Sequence, residues 1–184
     1  MLILILGVAL WWAAHLYKRA APAQRAAMGG QGRLIVSGLL VVSVLLMIVG
    51  YRMADGVFFW GPSAPLVGIN NLLMLAAIYM FAAHGMKTRV TSLTRHPMLW
   101  GFALWTIAHL LVNGDTPSFI LFGGLLVWAL VEMQVINRAS AWVRPTGPFP
   151  MRKEMMALAG AVIVLLVVGA IHGVVGPWPF GGGA

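Results

Sequence analysis

Residues 34–51 read LIVSGLLVVSVLLMIVGY, an apolar run without one charged side chain, and they decide the class of fold. The hydrocarbon core of a bilayer is about 30 Å thick, so a crossing helix needs about 20 mostly apolar residues, with a range of about 17–25. Residues 34–51 meet that length. Five further stretches repeat the pattern: 2–17, 66–86, 97–112, 117–137 and 155–175, the first and fourth a little short. Between them stand Gly29-Gly30, Gly61-Pro62-Ser63, Asn113-Gly114-Asp115 and Pro145-Thr146-Gly147-Pro148, which are turn and helix-breaking signals. The expectation is an all-α polytopic bundle of about six transmembrane helices, forming one domain over residues 1–175. The Gly- and Pro-rich residues 176–184 read as a flexible tail, and no internal repeat is visible.

Composition agrees. Of the 184 residues, 61% are hydrophobic and 9% charged, and mean hydropathy is +0.92. A soluble domain carries about 25% charged residues, so water cannot solvate this chain all round. The absence of cysteine excludes disulfides, iron–sulfur clusters and thiolate chemistry. A net charge of +8 in so apolar a chain points to cytoplasmic loops and anionic membrane lipid rather than to nucleic acid. Met1 leads straight into Leu2 and Ile3 with no basic residue ahead, unlike a cleaved signal peptide. The first segment is therefore expected to stay as a membrane helix.

Charge also orients the chain. Lys18, Arg19, Arg25 and Arg33 fall in the first link, Lys87, Arg89 and Arg95 in the third, and Arg138, Arg144, Arg152 and Lys153 in the fifth. That is eleven of the twelve Lys and Arg residues, leaving Arg52 for the opposite side. Because positive residues gather in cytoplasmic loops, both termini are expected on the periplasmic side of a bacterial inner membrane. Trp60, Trp142 and Trp178 lie near segment ends, where interfacial aromatic residues sit.

Ionisable groups inside a membrane are costly and mark function, so His15, His84, His96, His109 and His172 carry the most information. His15 and His84 fall near the cytoplasmic ends of the first and third segments. His96 precedes Pro97, which suits the first turn of the fourth helix. His109 lies about 20 Å further across at 1.5 Å per residue, and His172 is near the outer end of the last segment. The set divides into an inner cluster (His15, His84, His96) and an outer pair (His109, His172). Zinc usually takes cysteine or carboxylate ligands, but cysteine is missing and Glu132 is the one acid inside a segment. Haem iron, which accepts axial imidazoles amid apolar walls, is the better candidate. Depth pairs His109 with His172, and His15 with His96 as a second site; packing histidines bonded to neighbouring backbone remain the alternative. Glu132 is expected to pair with Arg95 or Arg138, and Asn70 and Asn71 to face water or a substrate. No Gly-rich phosphate loop or nucleophile–base arrangement is present.

Arg95-His96-Pro97-Met98, followed by Ala108-His109-Leu110-Leu111-Val112-Asn113-Gly114-Asp115, resembles the signature of the NnrU family. His15 at the end of an apolar first helix, with Lys18-Arg19 after it, fits the same resemblance, which spans most of the chain. It implies a membrane protein linked to bacterial denitrification, in nitrite and nitric oxide metabolism. The family includes the plant zeta-carotene isomerase, a haem b protein under redox control, similar in RHP, in AH thirteen positions later and in a late histidine where His172 stands. Carried over by motif, its haem ligands fall on His15 and His109, a pair at odds with the depths above. Where that relative has a cysteine, this chain has Thr106, so a thiol ligand is lost.

Three functions follow as expectations. The first is a redox-active haem b protein with one or two haems and a redox partner. The second is a haem-dependent cis–trans isomerase of an apolar polyene, which needs an elongated apolar cleft open to lipid. The third is a non-enzymatic membrane maturation or scaffold protein. A membrane methyltransferase of the isoprenylcysteine type, echoed by RHP with a glycine four residues on, ranks last because its C-terminal acidic and aromatic motifs are missing.

Overall fold

A computed structural model describes residues 1–181. The expectation of a flexible tail lies outside the described residues for 182–184. The six apolar segments are helices: α1 (Leu2–Ala20), α2 (Gln31–Arg52), α3 (Ala64–Met86), α4 (Pro97–Val112), α5 (Thr116–Ala139) and α6 (Met151–Val175). Five of them are long and apolar enough to cross a membrane, whereas α4, at 16 residues, is shorter. At 1.5 Å per residue α4 spans about 24 Å, less than the hydrocarbon core. Pro97 sets its start and Asn113 ends it. Short helices Pro22–Ala27 and Val90–Leu93 sit in the first and third links.

The structure corrects several boundaries. α6 begins at Met151, so Arg152, Lys153 and Glu154 form its first turn rather than a loop. Pro150, whose ring fixes φ, is its N-cap, and polar groups there can reach water beyond the apolar stretch. α1 and α2 likewise run on to include Lys18, Arg19 and Arg52; long cationic side chains extend their heads toward water. α5 includes a π-helical turn, Phe119–Gly123. The all-α expectation also omits one feature. Two strands, β1 (Phe58–Trp60) and β2 (Gly114–Asp115), pair antiparallel and tie the α2–α3 link to the α4–α5 link. Val57 N–H donates to Thr116 Oγ1, and the Trp60 indole donates to the Leu110 carbonyl. A Cβ on Gly114 would strike the Trp60 ring, so glycine permits the crossing.

Contacts place the helices side by side in the order α2, α1, α5, α4, α3, α6. α1 and α2 are antiparallel, with Gly7 against Met47 and Gly50 against the Leu4 backbone. Small residues allow such close approach where lipid supplies no hydrophobic drive between helices. Gly101 does the same for α4 against the Ala77 carbonyl of α3. Leu4, Val8, Met47 and Leu125 form a buried cluster with Trp11, Phe102 and Trp105 against it. Ile35, Val41 and Leu45 of α2, and Ile163, Leu166 and Val167 of α6, are exposed. Apolar outer faces of this kind suit hydrocarbon, and the helices keep their backbone hydrogen bonds internal as lipid requires. The helices alternate in direction, which gathers the cations of links one, three and five at one end of the bundle.

Residues 176–181 turn back along α6. The Trp178 ring packs over Gly173 and the Phe180 ring over Gly169, and the two rings meet edge to face at 5.4 Å.

Candidate functional site

The site grows from a local pattern that α1 and α4 share. In each, a tryptophan precedes a histidine by four residues: Trp11 and His15, Trp105 and His109. Residues four apart are neighbours on one helix face, and the rings do meet, with centroids 4.2 Å apart in α1 and 5.1 Å in α4. His15 Nδ1 lies 3.0 Å from the Trp11 carbonyl, and His109 Nδ1 lies 2.9 Å from the Trp105 carbonyl. A carbonyl can only accept, so Nδ1 carries the proton and Nε2 keeps its lone pair. That tautomer is the one a metal-ligating histidine uses, its ring held by the bond at the other nitrogen.

α5 covers both imidazoles. Trp128 packs on His15 at 4.5 Å, and Phe122, inside the π-helical turn, packs on His109 at 4.6 Å. π-Helical turns occur frequently at functional sites. The Trp12 indole N–H donates to the Gly124 carbonyl at 3.1 Å and fixes α1 against α5. Phe102 completes the core, 5.9 Å from Trp11, 5.1 Å from Trp128 and 5.1 Å from Trp105. An unbroken aromatic stack thus runs between His15 and His109. Three buried polar atoms on the residues at the His15 end have no partner: Trp11 Nε1, Trp128 Nε1 and Glu132 Oε2, one turn beyond Trp128. Buried polar groups are normally hydrogen-bonded, so this end offers two free donors and an acceptor.

The other histidines differ. His172 also binds a carbonyl through Nδ1, that of Pro177 at 2.7 Å, and its Nε2 is equally available. His172 stands near the end of α6 and His109 near the end of α4, and α3 packs against both helices. His96 is the N-cap of α4, as expected from Pro97, but its Nε2 donates to Asn137 Oδ1 at 2.9 Å. His15 and His96 therefore have separate partners. His84 is exposed and lines a surface cavity. Among the described residues, no group of three or more His, Asp or Glu side chains converges as a metal cage.

The expected ion pair of Glu132 with Arg95 or Arg138 does not form. The Arg95 guanidinium instead donates to the Ser140 carbonyl at 2.6 Å, to Ser140 Oγ at 2.7 Å and to Asn137 Oδ1 at 3.3 Å. The cation whose charge reaches Glu132 is Arg19, one turn past His15 on the neighbouring helix. Asn70 is buried and donates to Asn71 Oδ1 at 3.2 Å, so it does not face water. An apolar groove of about 610 Å³ runs along the outside of α1 and α5, lined by Ile5, Val8, Trp12, Leu16 and Ile120 among others. None of the histidines lines it.

Sequence reasoning missed the shared Trp–His spacing, which was readable at four residues. It also missed the Tyr51 hydroxyl bonded to Ser118 Oγ at 2.8 Å, and Glu154, which accepts from the Tyr79 hydroxyl at 2.8 Å and from Arg89 N–H at 2.6 Å. No local pattern signals those long-range bonds.

Compared with known protein families, residues 3–179 match the family described as NnrU protein. No curated protein and no solved structure matches the chain.

Proposed function

This chain belongs to the NnrU family, and from that premise we propose that it is a haem b-binding, redox-active, multi-pass membrane protein. The environment in which it works is the nitrite and nitric oxide metabolism that the family resemblance implies. Eleven cations at one end of the bundle favour that end as cytoplasmic in a bacterial inner membrane, with both termini outside.

The observation that carries the reading is the anchoring of His109 and His172. Each has Nδ1 on a backbone carbonyl, at 2.9 Å and 2.7 Å, which leaves each Nε2 with its lone pair. Such anchoring orients the ring and raises ligand basicity. His109 and His172 would be the axial ligands, with Phe122 and Trp105 walling the His109 side. A bound haem supplies one-electron chemistry whose potential depends on its axial ligands and burial. The chain's own part is to hold two imidazoles in one tautomer and to exclude water with aromatic rings.

A second reading takes His15 and His109 as the pair, as the resemblance implies. The two unpartnered indole donors beside His15 favour it. Absorption spectra of the purified protein, oxidised and reduced, separate the two. On the first reading, His109→Ala abolishes the Soret band of haem-replete protein and His172→Ala shifts or abolishes it, while His15→Ala leaves it intact. Loss with His15→Ala and none with His172→Ala transfers the assignment to the second pair. A wild-type protein without a Soret band after expression with ample haem refutes both.

A further inference from the structure

A cavity of about 560 Å³ opens at the cation-rich end of the bundle, between the end of α3, the α3–α4 link and the α5–α6 link. Lys87, Arg95, Lys153 and His84 line it, with no carboxylate among the lining residues. Glu154, adjacent to Lys153, is turned away and occupied by Tyr79 and Arg89. The Arg95 bonds go to neutral acceptors, Ser140 and Asn137, so they hold the guanidinium in place and leave its charge uncompensated. Lys87 is the one non-glycine residue with positive φ among the described residues, at φ 55° and ψ 54°. This left-handed C-cap ends α3 and turns the chain into the α3–α4 link. The first turn of the 25-residue α6 adds the positive end of its dipole beside Lys153.

The rest of the wall is apolar: Trp142, Pro145, Pro148 and Phe149. A soluble phosphate would need no such wall, whereas an amphiphile would. The cavity also lies where apolar helices end and the chain meets the interface. We propose that it binds the phosphate head group of an acidic membrane lipid, with Lys87, Lys153 and Arg95 on the phosphate and the Trp142–Phe149 wall against the glycerol and upper chain. The site is independent of haem. A basic residue near an anionic surface contributes about fivefold to such affinity, so removing two costs about 30-fold.

The test is lipid binding by the full chain in nanodiscs of phosphatidylcholine titrated with phosphatidylglycerol, read by native mass spectrometry. Lys87→Gln with Lys153→Gln is the variant, because among the described residues neither side chain hydrogen-bonds to the rest of the protein. Lys18→Gln with Arg25→Gln removes two charges from the same end outside the cavity. The expected result is retained phosphatidylglycerol on the wild type and on the Lys18/Arg25 control, and about 30-fold weaker retention on the Lys87/Lys153 variant. Equal loss in both double variants would reduce the effect to general surface charge and overturn the site. Inorganic phosphate protecting the wild type against thermal unfolding as strongly as phosphatidylglycerol does would overturn the lipid as occupant. Binding of neither overturns the proposal altogether.

Discussion

Replacing Gly50 by alanine puts a methyl group where α1 already lies. A Cβ built there collides with Leu4 N and stands 2.6 Å from Leu4 Cα. Carbon atoms in favourable contact are about 3.5–4 Å apart, so the helices must separate by about 1 Å. The obstructing atoms are backbone, and no rotamer change relieves them. Overpacking of this kind costs about 1–3 kcal/mol, and separation also forfeits the van der Waals contact that holds helices together in lipid. Gly38 is the internal control. It lies in the same helix, but a Cβ there meets nothing within 4 Å. Gly38→Ala should gain about 0.5–1 kcal/mol, because glycine is the poorer helix former. The two substitutions are chemically identical and should differ by about 1.5–4 kcal/mol. Reversible unfolding in mixed micelles against the mole fraction of SDS, followed by circular dichroism, reads the difference. If Gly50→Ala is as stable as Gly38→Ala, the close approach of α1 and α2 is wrong.

Two further predictions use the same assay. Glu154→Gln should destabilise the fold by about 1–2 kcal/mol, since the carboxylate accepts two hydrogen bonds and those to charged groups are the stronger kind; a double-mutant cycle with Tyr79→Phe should show coupling, and strict additivity would mean that the contact contributes nothing. Asp115→Ala removes the side chain that accepts from Ser118 N–H at 2.8 Å at the start of α5 and should cost about 1 kcal/mol, so an unchanged midpoint would show that this cap is dispensable.

The bundle was legible because bilayer thickness imposes a length on each helix, and apolar runs such as residues 34–51 display it directly. Helix ends were less so. The first turn of α6 carries Arg152, Lys153 and Glu154, and a hydropathy reading stops at the first charged residue although a helix does not. The β1–β2 clasp escaped because its two strands have three and two residues, too few to show alternation. Among the candidate site residues, the N-cap position of His96 followed from Pro97 alone. The partner of Glu132 did not, because ion pairing depends on rotation about the helix axis, which charge counting ignores. Arg95 was spent on Ser140 and Asn137 instead.

The direction of the two Trp–His pairs explains why the histidines sort by depth. α1 and α4 cross the bundle in opposite directions, and in each the tryptophan precedes the histidine by one turn. Trp11 therefore lies toward the middle from His15, and Trp105 lies toward the middle from His109. The aromatic rings fill the centre, and the imidazoles are left at its two ends. The same end of the bundle as His109 carries a second imidazole anchored on a backbone carbonyl, that of His172 near the end of α6. The His15 end has no such counterpart, because His96 commits Nε2 to Asn137 and what remains unpaired is two indole N–H groups and one carboxylate oxygen. The two ends are thus chemically unequal. On the proposed function, a bis-imidazole haem would sit at the His109 end, and the protein would hold one haem rather than two.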